Sequence, residues 1–550
     1  MNDEDVERIR AFERECDDAY RGCPLLQLPN RSLARWYLLT VTEDILRAPV
    51  IGGRPARDAF QESVMAHRAR TGLEYAMRWT SGMPDGPFRP PAIIHEPTYG
   101  LAAEMLTLGA DYGEIIAPFT LWSRGLATPK FIDEGTIRFT RDTRNARFEA
   151  LHRSFALSAR PNFETAHPPA VSAAIDRVWR SARPSGKHRL SYRTSHRELQ
   201  PVADYLRSSI DPRERLPEAW MLLGRPAQEI RAFLAVVRAI GYLHLGVYYH
   251  VLQLHPIETG ALASATIVRP SSEWHAIFAK SAAISMELAS GLVAALTLPS
   301  DSSSADVSLQ PFVPIGGDLL ALAPFLTLTA HLERNLLKLA ARAHRQEYDA
   351  TSSVFDEALT ERCRSLAKQE TYSFAARRSV PGQPHLPDID AAFYDPASNA
   401  LLLAELKASI EPSEPKEILL VIGESEAKAL AQARLLKEYA LSNPEAVWRT
   451  LFPGAPYPAP TLCVAVVLGS FHGSAASLDA DIPSVMIGKL EQLCTSLPSL
   501  HDVCVSLGAF QHLPIAGVDF ELRDLEVEIG SKRVIWDGVL LRGVDAPVSK

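Results

Sequence analysis

Pro387-Asp388-Ile389-Asp390, followed across a turn by Leu401-Leu402-Leu403-Ala404-Glu405-Leu406-Lys407, is the stretch that decides the fold of this 550-residue chain. Asp390 to Tyr394 is a short apolar run, Asp395-Pro396-Ala397-Ser398-Asn399 supplies turn formers, and Ala400 to Leu403 is a second apolar run, which together read as a β-hairpin. Period-two alternation puts Glu405 and Lys407 on one face of the second strand and turns Leu406 to the other. Across the hairpin Asp390 can lie beside Glu405. Two carboxylates that close repel, so either a cation sits between them or one stays protonated. Mg²⁺, with Mn²⁺ as an alternative, takes oxygen ligands and keeps waters. Asp390, Glu405, the Leu406 carbonyl and a substrate phosphate would complete its shell. A cation of this kind makes water a usable nucleophile near neutral pH, and Lys407 is spaced to orient it or to stabilise charge growing on a phosphate. Glu-x-Lys by itself is common on solvated strand edges. The weight comes from its conjunction with the upstream acid and the apolar lead-in to Glu405.

The same residues resemble the signature of the PD-(D/E)xK nuclease superfamily, the restriction-endonuclease-like fold. The resemblance implies an order of helix, three meandering strands, helix and strand. Val354 to Leu366 has a helical apolar face, Tyr372 to Val380 reads as the first strand, and the hairpin supplies the next two. Glu424 to Ala440 is an Ala- and Leu-rich helix, and Leu462 to Leu468 is a continuous apolar strand. The family's metal-binding Asp matches Asp390 better than Asp388, although the literal Pro-Asp pair is Pro387-Asp388. The family often adds an acid from the first helix, here Asp356 or Glu357, and a Gln or Lys from the second helix, here Gln432 or Lys428. Arg377 and Arg378 on the first strand are placed to contact substrate phosphates. Phosphodiester hydrolysis is the implied reaction, with DNA favoured over RNA because most of the family acts on DNA.

The expected fold is multidomain: a mainly α-helical N-terminal region plus a C-terminal α/β restriction-endonuclease-like domain with a mixed central sheet. The divisions are a mostly helical 1–180, a basic linker 181–200, a helical 201–345 and a nuclease-like 346–550. Phe520 to Leu541 reads as a β-hairpin that extends or flanks the nuclease sheet. A large N-terminal region joined to a nuclease resembles the plan of bacterial antiviral defence effectors, with the N-terminal part binding a protein partner or activator. The competing reading is a non-catalytic interaction protein that keeps the nuclease-like fold as a scaffold.

Composition bounds these readings. Phe233 to Leu252 and Ser281 to Leu298 are the most apolar stretches, but Arg238 and Glu287 interrupt them, so both read as buried helices and not as membrane spans. The N-terminus has no basic and apolar leader, and the six cysteines form no CxxC pair, which makes a cytoplasmic chain with reduced core cysteines the expectation. Neither a phosphate-binding loop nor a G-x-S-x-G elbow is present. The net charge of −8 is unusual for a nucleic-acid enzyme. Basic residues nevertheless gather locally: Arg138, Arg141, Arg144, Arg147 and Arg153 in one run, and Arg177 to Arg197 in another. Either could form a groove for a strand, or both could be solvated faces.

Overall fold

The computed structural model describes residues 3–51, 59–141, 143–158, 167–185, 188–208, 216–254, 262–299, 306–330, 332–408, 410, 427–469 and 481–542. It is a mixed helix and sheet structure whose N-terminal region is mainly helical. Helices Arg31–Ile51, Ala59–Trp79 and Glu96–Ser123 surround one apolar core. A second core gathers Pro169–Ser181, His196–Ser208, Ala227–Leu254, Ser271–Ser281 and Met286–Ala295. A small sheet in the order Ile267–Pro270, Leu319–Leu322, Phe312–Pro314 forms the wall between them. Strand alternation explains how it serves both: Phe312, Leu320 and Leu322 enter the second core, while Val313 and Ala321 enter the first.

This interleaving corrects the expected division near residue 180. Helix Pro169–Ser181 packs with the helices that follow it, while Ala263, Leu298, Val307, Val313, Ala321 and Leu326 join the first core. The described residues of the stretch 181–200 are folded into the second core and do not form a linker. Leu190 and Leu199 are buried, and the buried His188 accepts a hydrogen bond at Nδ1 from the Ile94 amide at 2.8 Å. Helix Ala227–Leu254 is long and apolar enough to cross a membrane, but 67% of its most apolar window is buried inside the fold, as expected for a core helix. The second apolar stretch is likewise a buried helix, Met286–Ala295.

The C-terminal part opens with helix α1 (Ser353–Gln369) and a five-stranded sheet, β1 (Ser373–Arg378), β2 (Ile389–Asp395), β3 (Ala400–Lys407), β4 (Thr461–Leu468) and β5 (Ser484–Met486), in that spatial order. The first three strands meander antiparallel, while β3–β4 and β4–β5 are parallel. A parallel pair needs a crossover, and helices α2 (Ala427–Ser442) and α3 (Pro444–Leu451) lie between β3 and β4. On one face α1 packs with α4 (Ile487–Ser496) and α5 (Leu500–Gly508) against Leu402, Ala404 and Leu406. On the other, α2 covers Leu401, Leu403, Val464 and Val466. The β3 strand is buried on both faces, which is why it reads as a continuous apolar run.

The tail forms the expected hairpin, β6 (Phe520–Ile529) and β7 (Lys532–Leu541), but not in the expected place. It leaves the five-stranded sheet and pairs β7 in parallel with Thr136–Arg141, completing a four-stranded sheet with Ala127–Phe131. Val534 and Trp536 are buried there with Ile137, Phe139 and Phe12 of helix Asp3–Asp18. The alternation of the hairpin is legible in the sequence, whereas its partner strand lies almost four hundred positions away and no local signal names it.

Candidate active site

The register of the β2–β3 hairpin sets the site. Its turn is fixed by Asp395, which accepts the Ala397 amide at 2.9 Å and the Ser398 hydroxyl at 2.6 Å. Burial works against the Asp395 charge, but these bonds outweigh it and hold the carboxyl below its ordinary range. Asn399 takes the left-handed conformation that closes the turn, with φ of 49°. From this turn the pairing runs Asp395↔Ala400 through Ala391↔Ala404, and the next step brings Asp390 across from Glu405. Both emerge on the α2 side of the sheet, the face that also carries Leu401 and Leu403.

Asp390 Oδ2 accepts the backbone amide of Leu406 at 2.8 Å. Glu405 is 2% exposed, its Oε1 receives Lys407 Nζ at 2.8 Å, and its Oε2 is buried without a hydrogen-bond partner. Burial first, and then the neighbouring Asp390 charge, push the Glu405 carboxyl up to about 7; Lys407 works against both. Asp390 is also raised, chiefly by burial, against the pull of the Leu406 amide and Lys407. A buried carboxylate oxygen without a donor, set beside a second carboxylate, is costly in a metal-free protein. The same arrangement suits a hard divalent cation, which accepts carboxylate and carbonyl oxygens. Among the described residues no three His, Cys, Asp or Glu side chains converge on one point, so a cation here would rest on two carboxylates, with the Leu406 carbonyl, water and substrate completing its shell.

The remaining candidates separate. Asp388, exposed at the strand's outer end, is bound by the Ser379 hydroxyl at 2.6 Å, whereas Asp390 faces Glu405. Asp356 on α1 is exposed, and its charge is among those that raise Asp390. Glu357 turns away towards Arg377 at 3.8 Å, with both side chains largely exposed. Arg377 adopts a φ of 51° between the paired positions Ala376↔Ala391 and Arg378↔Ile389, which puts it alongside Asp390 on the sheet edge; Arg378 is exposed next to it. Gln432 sits on α2 over the site's face, and its Oε1 is buried without a partner.

No family model, curated protein or solved structure matches the chain. The site's geometry and the chain's own chemistry therefore carry the functional reading.

Sequence reasoning missed three supports. The Gly469 amide donates to the Lys407 carbonyl at 2.8 Å and pins the end of β3. Arg362 on α1 pairs with Glu491 on α4, with Nη2 donating at 2.6 Å, which locks the two helices on that face. Ser379 donates its hydroxyl to Asp388 at 2.6 Å and fixes that exposed carboxylate. None of these carries a local signal, because each depends on a partner brought in by folding. The first arginine run is spent within the protein: Arg138 bonds Asp524 at 2.9 Å, and Arg141 and Arg153 converge on Glu149. Arg147 donates to the carbonyls of Pro514 and Phe510, both at 2.8 Å. The Arg144 side chain lies outside the described residues.

Proposed function

We propose that the C-terminal domain is a metal-dependent nuclease of the PD-(D/E)xK type that hydrolyses phosphodiester bonds, with DNA as the favoured substrate. One observation carries the reading: the buried Glu405 carboxyl is held against Asp390, close enough to share a proton with it, with Lys407 on the same carboxylate. Burying like charges together destabilises a fold, and function is the ordinary reason such an arrangement persists.

Asp390, Glu405 and the Leu406 carbonyl would hold Mg²⁺ or Mn²⁺, which when bound neutralises charge and activates water. The chain's own groups do the rest. The Leu406 amide fixes the Asp390 carboxylate, so one half of the cation site is oriented before any ligand arrives. Lys407, 25% exposed, keeps its ammonium against Glu405 and reaches solvent, where it can donate to the attacking water or to a phosphate oxygen. Arg377 and Arg378 line the exposed edge beside Asp390 and match phosphate with forked donors. Hydrolysis adds water oxygen to phosphorus and breaks the bond to the departing sugar oxygen, which takes up a proton. Asp356, whose charge acts on Asp390, would be a further acid for a second ion.

The test is cleavage of labelled single- and double-stranded DNA and of RNA with Mg²⁺ or Mn²⁺. Glu405→Ala and Lys407→Ala are expected to lower cutting by about two orders of magnitude or more, with both variants still unfolding cooperatively. Unchanged cutting in both variants would overturn the site assignment.

A further inference from the structure

We propose that the exposed arginines at the junction of helices Pro169–Ser181 and His196–Ser208 form a second, separate surface that binds a nucleic-acid phosphate backbone. Between Arg177 and Arg197 the sequence has seven Lys and Arg and no Asp or Glu, within a chain of net charge −8. Folding consumes only part of this run: Arg177 pairs with Glu198, and Arg183 turns onto the Arg180 and Ala182 carbonyls while staying exposed. Arg180, Arg183, Arg193 and Arg197 are all exposed.

Local bonds bring them together. The Arg193 amide donates to the Ser181 hydroxyl at 3.0 Å, so the segment carrying Arg193 lies against the end of the helix that carries Arg180. Arg183 Nη1 turns back onto the Arg180 carbonyl at 2.8 Å, and Arg177 reaches the Arg197 carbonyl at 3.5 Å. The neighbouring carboxylates are taken: Glu198 bonds Arg177 at 3.2 Å, and Asp204 bonds Arg207 at 3.1 Å. Asp176, one turn before Arg180, is the remaining acid on that helix. Among the described residues, no ion pair holds any of the four arginines.

Clustered guanidiniums without counter-charges repel one another, and a polyanion relieves that repulsion while accepting forked hydrogen bonds. A membrane-binding surface adds apolar side chains that insert. Here none of the exposed large hydrophobic residues falls between Ile132 and Met221 among the described residues. The surface therefore fits a polyanion that lies on the protein. The choice of nucleic acid among polyanions rests on the nuclease reading of the C-terminal domain.

Fluorescence anisotropy of the full chain with a labelled oligo(dT) and a labelled duplex, in EDTA, tests the surface independently of catalysis. Four phosphate contacts imply that, between 50 and 200 mM KCl, the wild type loses about 150-fold more duplex affinity than R180A/R183A/R193A/R197A. For the single strand the excess is about 50-fold. R10A/R21A/R345A/R449A removes the same charge from exposed sites elsewhere and is expected to bind like the wild type. Glu405→Gln is also expected to bind normally, so loss of cutting with retained binding would fault only the catalytic reading. Absence of wild-type binding to both oligonucleotides, equal salt dependence in the patch variant, or binding confined to polyglutamate or to phosphatidylserine vesicles would each overturn the proposal.

Discussion

Replacing Glu405 with Gln is expected to stabilise the metal-free protein while removing a ligand of the proposed cation site. Gln has the shape of a protonated Glu but cannot ionise, so the variant reports the cost of the buried charge. Burial and Asp390 raise the Glu405 carboxyl from 4.5 to about 7. Because the folded value lies above the unfolded one, this group's contribution is fully present below pH 4.5 and is lost as pH rises through about 7. That rise corresponds to about 3 kcal/mol of stability lost by the wild type between pH 4.5 and pH 8. For a transition that unfolds the five-stranded sheet, that is about 6–12 °C in Tm. The assay is thermal unfolding in EDTA at pH 5 and pH 8, comparing the change in the wild type with the change in Glu405→Gln. The difference between the two changes reports the Asp390–Glu405 pair, since the two carboxyls titrate together. At pH 8, Mg²⁺ should raise the wild-type transition, because binding favours the folded state, and leave the variant's nearly unmoved. Equal pH dependence in the two proteins would refute the claim that Glu405 is held at a destabilised charge. A variant that loses stability at pH 8 would show that the Lys407 pairing outweighs burial and repulsion.

The other expectations concern what holds the site to the rest of the chain. Arg147→Ala removes the donor shared by the Phe510 and Pro514 carbonyls and should cost about 2 kcal/mol, read as faster limited proteolysis in the 508–520 segment; unchanged proteolysis would show that the apolar contact of Phe148 and Leu151 with Leu513 suffices alone. Gly109→Ala would place a methyl 2.6 Å from the Gly72 carbonyl where two helices cross, and should cost about 1–3 kcal/mol in unfolding free energy. Gly100→Ala on the same helix meets open space and should be neutral or stabilising, so equal effects at the two positions would refute the close-approach argument. Deleting the chain from Val518 onward should destabilise the N-terminal region, read by hydrogen exchange at Ile137 and Phe139, because β7 completes the sheet that buries them.

The sequence by itself determined whatever depends on near neighbours. Periodicity located α1, the hairpin and β4 to within a few residues, and turn chemistry at Asp395 to Asn399 set a register that faces Asp390 with Glu405. The buried runs Phe233 to Leu252 and Ser281 to Leu298 were legible for the same reason, since an apolar helix interrupted by one charge has few places to go but a core.

Only the tertiary structure decided the rest, because it depends on partners distant in the chain. Asp388 and Asp390 differ by two positions on one strand, and it took Ser379 and Glu405 to give them different surroundings. Asp356 and Glu357 are adjacent on one helix, yet the first adds its charge to those that raise Asp390 and the second turns to Arg377. The two arginine runs look alike in the sequence. The first is neutralised by Asp524 and Glu149, and the second stays exposed, because charge becomes a surface only after folding has chosen which acids stand next to it. The tail hairpin makes the same point for the backbone: its alternation specifies a strand with one apolar face, and the unpaired edge of Thr136–Arg141 decides where that strand goes.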